Sequence, residues 1–209
     1  MIAKFRFASL FFVLPLLISC ASSYKPISPE TLQYHNHSTN DLIDFSYHYD
    51  VLTESRNKKY AKHELKNNLS LVAVKITNHT GHDINPMNDA VFYVDNKPVY
   101  IEDQRITEDK IKQGVPIYLL YLLFSPMTLT TSNNSSYDGA QTSNSFPIGL
   151  IIGPTLTATN MIVAGTANKT FKEEIENHTL YQPVHDGGTI FALVAFRDIG
   201  KDEITLRLK

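Results

Sequence analysis

IDFSYHYDV, residues 43–51, decides the fold class. Ile43, Phe45, Tyr47, Tyr49 and Val51 alternate with Asp44, Ser46, His48 and Asp50. A two-residue period of apolar and polar side chains specifies a β-strand with one face buried and one wet. Tyr47 and Tyr49 share Phe45's face, which assigns them to the core rather than to a sugar-binding platform. Residues 69–77 (LSLVAVKIT) form the next strand. Val72, Val74 and Ile76 fall on one face, while Leu69, Leu71 and Ala73 fall on the other, so half its length is expected to be covered on both sides. The segment between them, 53–68 (TESRNKKYAKHELKNN), is charged and lysine-rich and reads as a solvated connection with a turn of helix near 59–65. Residues 78–83 (NHTGHD) are turn formers, and Gly81 can supply a positive φ. A short strand at 90–94, a turn at 95–98 and a strand at 99–102 complete what reads as half of an antiparallel sheet.

The C-terminal end supplies the other half. Gly187 and Gly188 precede an apolar strand at 189–196 (TIFALVAF), and 197–202 (RDIGKD) is a turn. Ile204, Leu206 and Leu208 then alternate with Glu203, Thr205, Arg207 and Lys209 in a closing strand. Together with the strands at 43–51 and 69–77, this arrangement resembles the Ig-like β-sandwich domains of bacterial lipoproteins. The resemblance covers residues 41–102 and 187–209 and implies a mainly β fold carrying a helical insertion (α+β). Its motifs are generic, so it transfers no functional residue.

The insertion, about 104–180, has an unusual composition. From 114 to 168 the one charged residue is Asp138. Residues 115–127 (VPIYLLYLLFSPM) are intensely apolar, 128–145 are rich in Ser, Thr and Asn, and 146–167 are again uncharged. The expectation is a short helix at 104–113, an apolar helical segment, a loop at 128–145 and a helix from about 155 to 177. In its second part Lys169–Glu173 and Lys172–Glu176 stand at i,i+4 spacing. Two packed helices, a membrane hairpin and an oligomer interface all fit this composition. Thirteen residues are short against the ~20 of a spanning helix. Gly149-x-x-x-Gly153 allows close helix approach in lipid or in water.

At the N-terminus Lys4 and Arg6 precede twelve uncharged residues, 7–18 (FASLFFVLPLLI), and then the small Ser19. A basic start, an apolar run of roughly 7–15 residues and a small residue define an export signal. The next residue is the chain's one cysteine, Cys20. Leu17-Ile18-Ser19-Cys20 resembles the lipobox of bacterial lipoproteins. The resemblance implies a signal peptide at 1–19, recognised by its peptidase at Leu17, Ile18 and Ser19. It further implies a diacylglyceryl group on Cys20, fatty chains such as palmitate, and a mature protein of 190 residues. Ala21, not Asp, follows the cysteine, which by the same resemblance favours the outer membrane, facing the periplasm or the surface, over the inner one. Residues 21–40 are polar and broken by Pro26 and Pro29, and are expected to be a flexible tether to the domain at 41–209.

Composition bounds the function. With 43% hydrophobic residues, eleven Phe and eleven Tyr, the chain can bury a core. Without Lys4 and Arg6 it carries 17 basic and 21 acidic residues. That is no basic footprint, so nucleic acid is not an expected partner. A lipidated Cys20 leaves no disulfide, and the fold rests on packing alone. His79, His82 and Asp83 share one turn and are weak candidates for a metal site, lacking a fourth ligand. His35 and His37 have no carboxylate nearby in the chain, and His185-Asp186 beside two glycines reads as a turn. The chain has no Gly-x-Ser-x-Gly, no His-Glu-x-x-His and no phosphate-cradling glycine loop. The expectation is a non-enzymatic, cofactor-free envelope lipoprotein of binding or structural type. Its partners would be the membrane, through Cys20, and another envelope protein. A membrane-inserting or oligomeric assembly subunit using 114–168 is one alternative, and a small-ligand receptor or concealed enzyme is another.

Overall fold

The computed structural model describes residues 20–39, 42–133 and 142–209. Residues 1–19, expected to be an export signal with Leu17, Ile18 and Ser19 at its end, and Asp138 lie outside the described residues. In chain order the elements are β1 (Asn36–Thr39), β2 (Ile43–His48), α1 (Val51–Glu54), α2 (Lys58–Lys66), β3 (Leu69–Asn78), α3 (Pro86–Asp89), β4 (Ala90–Val94) and β5 (Lys97–Val99). Then come α4 (Gln104–Ile111), β6 (Leu129–Asn133), β7 (Thr142–Phe146), α5 (Gly149–Asn177), β8 (Thr189–Arg197) and β9 (Ile204–Leu208). Short 3-10 segments form at Pro29–Thr31 and Pro116–Phe124. The protein is a mixed α/β structure whose sheets are antiparallel. The described residues divide into two compact units, 23–113 with 167–209, and 20–22 with 114–166.

The first of these, the β unit, holds a four-stranded sheet in the order β1-β2-β3-β8 and a three-stranded sheet in the order β5-β4-β9. The alternation of β2 becomes strict burial of Ile43, Phe45 and Tyr47. These pack with Val72, Val74 and Ile76 of β3, with Ala192, Val194 and Phe196 of β8, and with Phe92 and Ile204 of the smaller sheet. One core cluster therefore draws on both sheets. The opposite face of β3, Leu69, Leu71 and Ala73, packs in a second cluster with Leu52 of α1, Tyr60 of α2, Ile111 of α4 and Phe171 of α5. Both faces of β3 are buried, as its two apolar rows require.

Two expectations about this unit are corrected. β3, β4 and β5 do not form one sheet, because the chain crosses over at residues 84–89. There Asn85 caps α3, its side chain accepting from the Met87 N–H at 3.1 Å, and delivers β4 to β9. The segment expected as a free tether is packed: Tyr24 and Ile27 are buried, and β1 pairs with β2. The residues responsible are isolated in a polar stretch, so no periodicity announces them.

The second, apolar unit contains the 3-10 segment, the β6–β7 hairpin and residues 149–166 of α5. Residues 116–124 wind as a 3-10 segment, started by Pro116, with Tyr118 and Tyr121 turned inward against Ala164. Strands stand at Leu129–Asn133 and Thr142–Phe146, where a loop is expected at 128–145, with Leu129 paired to Phe146 and Thr131 to Asn144; 134–141 lie outside the described residues. β-Branched threonines suit a strand, but a polar hairpin lacks the apolar alternation that would reveal it. α5 begins at Gly149 rather than Thr155 and carries Pro154 within it. Pro154 cannot donate to the Leu150 carbonyl, yet its fixed φ is helical and the helix continues around it.

Candidate functional site

Among the described residues, three places that bring chemistry-bearing side chains together are built differently. The first is the N-terminal end of the apolar unit. Cys20 is an exposed free thiol. The Ala21 N–H donates to Asn160 Oδ1 at 2.6 Å, and Ala21 packs beside Tyr118, Tyr121 and Ala164. Asn160 is itself buried, and its Nδ2 donates to the Leu156 carbonyl at 2.8 Å. The chain following Cys20 is thus held within the apolar unit by a hydrogen bond and a hydrophobic contact.

The second place is in the β unit, where the Glu174 carboxylate gathers residues 24–28. Oε2 accepts from the Tyr24 hydroxyl at 2.5 Å, and Oε1 accepts from the N–H groups of Ile27 at 2.5 Å and Ser28 at 3.1 Å. Burial, and then the adjacent Glu174 charge, hold the Tyr24 hydroxyl protonated far above the ordinary phenol range. Asn57 adds a second tie, exchanging two hydrogen bonds with the Lys25 peptide at 2.8 and 2.7 Å. This satisfied polar cluster fixes the N-terminal segment. Glu174 and Asn57 thereby tie residues 24–28 to α5 and to the loop before α2.

The third is a cavity of about 460 Å³ in the β unit, lined by Tyr49, Asp50, Glu64, Asp198, Gly200 and Lys201 among others. The pairing of β2 with β3 stops at Ala73, and two residues further on the Leu71 N–H donates to Glu64 Oε1 at 2.6 Å. Glu64 is 8% exposed. Burial pushes its carboxyl up to about 7, opposed by the Leu71 N–H and reinforced by Asp50. Lys201 is held by Asp50, Nζ to Oδ2 at 2.5 Å. Sequence reasoning missed Glu64, whose place in the lysine-rich segment marked it as solvated. The signal that could have found it is its spacing on α2, where Tyr60, Ala61 and Glu64 fall on one face.

The histidine turn is dispersed. His79 faces Asp44 at 3.0 Å, His82 faces the Thr80 carbonyl at 3.1 Å, and Asp83 faces His185 at 2.8 Å. No group of three or more metal-ligating side chains assembles among the described residues. The weak candidates His79, His82 and Asp83 therefore do not converge. Asp186 accepts from the Gly81 N–H at 2.9 Å, which makes 185–188 a turn braced against 78–83. The buried Asn78 completes that brace, its Nδ2 donating to the carbonyls of His82 and Val184 at 2.7 and 2.9 Å.

Comparison with known proteins finds no matching family model, no matching curated protein and no matching solved structure.

Proposed function

We propose that this is a lipid-anchored protein of the bacterial cell envelope, acylated at Cys20, that acts by binding or by scaffolding rather than by catalysis. The observation that carries the reading is the setting of Cys20. An exposed thiol follows the Leu17-Ile18-Ser19 signature, and the next residue is anchored within a unit that exposes Leu123, Leu150 and Ile162. Two or more acyl chains on one residue make a stable anchor. Ala21 favours the outer membrane. The β unit is read as an Ig-like sandwich, a reading supported by two antiparallel sheets contributing to one core. Such a domain would display its loops and sheet edges to another envelope protein.

Metabolic labelling with an alkyne-tagged fatty acid tests the anchor. The wild-type protein is expected to take up the tag and to run at the mass of residues 20–209, while Cys20→Ser stays untagged and retains the signal. Tagging of Cys20→Ser, or processing of the wild type at another residue, would sink the proposal.

A further inference from the structure

The uncharged unit exposes side chains of the kind that water normally excludes. Ile117, Leu120 and Leu123 of the 3-10 segment and Leu150, Ile151 and Ile162 of α5 are all more than half exposed, Leu123 at 73% and Ile162 at 67%. A monomeric soluble protein rarely carries a contiguous apolar patch beyond a few hundred Å².

α5 provides an internal control. Its buried row runs Gly153, Thr157, Asn160, Ala164, Ala167, Phe171 and Glu174, a single stripe at helical spacing from one end to the other. The packing mode is therefore constant along the helix. The exposed side is not constant. Up to Thr166 it presents Leu150, Ile151, Ile152 and Ile162 with no charge, and from Lys169 onward it presents Lys169, Lys172, Glu173 and Glu176. A helix with one solvent has one kind of exposed face. This one has two.

Length and polar bookkeeping identify the second solvent. Residues 149–166 extend about 27 Å at ~1.5 Å per residue, against ~30 Å of bilayer hydrocarbon. Among the described residues, Gly149–Asn177 is the helix long and apolar enough to cross a membrane. Its two most polar buried side chains within this length are satisfied internally, Thr157 Oγ1 donating to the Gly153 carbonyl at 2.9 Å and Asn160 bonding Leu156 and Ala21. Lipid demands that internal satisfaction. The Gly149–Gly153 pair, suited to close helix approach, is already filled and is not open to a second copy of the chain. A Cβ at Gly149 would meet the Phe124 carbonyl oxygen at 2.0 Å, and one at Gly153 the Tyr121 carbonyl oxygen at 3.0 Å. What remains outside is Leu150, Ile151, Ile152 and Ile162, interspersed with small residues such as Ala158 and Gly165.

We infer that the apolar unit is a bilayer-embedded hairpin, a second membrane attachment whose exposed face meets lipid acyl chains. It stands whether or not Cys20 is acylated. Open sheet edges do not occur in hydrocarbon, so the polar β6–β7 hairpin lies in the headgroup region or in water.

The test uses the chain from Ala21 onward, exported behind a cleavable signal that leaves no cysteine, purified in detergent and reconstituted into phosphatidylethanolamine–phosphatidylglycerol vesicles. Single cysteines at Leu123→Cys, Ile162→Cys and Asn144→Cys carry an environment-sensitive dye. The expected result is flotation with the vesicles, a blue shift and loss of emission to spin-labelled acyl chains at the first two sites, and no acyl-chain quenching at Asn144→Cys. A protein that stays in solution as a monomer overturns the inference. So does a soluble oligomer with those two dyes shielded, which would give the face to a second copy. Ile151→Lys with Ile162→Lys guards against a folding artefact. Both side chains are exposed, so circular dichroism should be unchanged while flotation is lost. Flotation that survives both lysines also overturns it.

Discussion

Glu64 shows how a single polar side chain both completes a sheet and burdens it. The Leu71 N–H lies beyond the last paired residue of β2 and would be an unsatisfied buried donor without the Oε1 contact. Supplying the acceptor buries a carboxyl, and burial raises its pKa from 4.5 to about 7. Between those values the folded protein binds more protons than the unfolded chain. The stability from this group is therefore full below pH 4.5, falls as pH rises through the window and is gone above about 7. The shift corresponds to an effect on the order of 3 kcal/mol. Glu64→Gln keeps an oxygen for the Leu71 N–H and removes the titration. Urea midpoints measured on either side of the window should show the wild type losing stability toward alkaline pH, and Glu64→Gln losing markedly less. Equal losses in both would assign the pH dependence to another group.

At the level of elements, α5 carries two kinds of glycine with opposite expectations. Gly149 faces the carbonyl oxygens of Phe124 and Ser125, at 2.0 and 2.6 Å from a Cβ built there, so Gly149→Ala must push backbone apart. Its cost should exceed the ~1–3 kcal/mol of ordinary overpacking. Gly165 has no neighbour within 4 Å of such a Cβ, and Gly165→Ala should gain roughly 0.5–1 kcal/mol of helix propensity. Thermal midpoints of both variants in detergent check the pair, and a tolerated Gly149→Ala would contradict the packing described here. Both glycines were visible in the chain, but their environments were not. Period-2 runs such as 43–48 and the double-faced 69–77 were legible because each side chain reports the solvent on its own face. β1 (NHST) and the polar β6–β7 hairpin have no such contrast. The anchoring of Tyr24 by Glu174, 150 residues away, leaves no local trace either. Glu64 was hidden because charge in a lysine-rich segment usually signifies water.

For the whole molecule, charge and apolar surface are separated along the chain, and that separation says which force would act if the proposed bilayer-embedded unit meets lipid. The chain from Cys20 onward has 17 basic and 21 acidic residues, so its net charge opposes adsorption to an anionic surface. Among the described residues, those of 114–166 carry no charge at all. Attraction to headgroups is thus absent in the one unit that exposes Leu150, Ile151 and Ile162, and burial of apolar area, ~25 cal/mol per Å², is what remains. Screening shortens electrostatic reach from about 10 Å at 0.1 M salt to about 3 Å at 1 M and leaves apolar burial intact. The cysteine-free protein on vesicles should accordingly remain bound across that range of salt. It should bind neutral and anionic vesicles alike, and be released by detergent. Release by salt, or binding confined to anionic vesicles, would mean that a charged surface of the β unit makes the contact, and the uncharged unit would lose its assignment as the lipid-facing one.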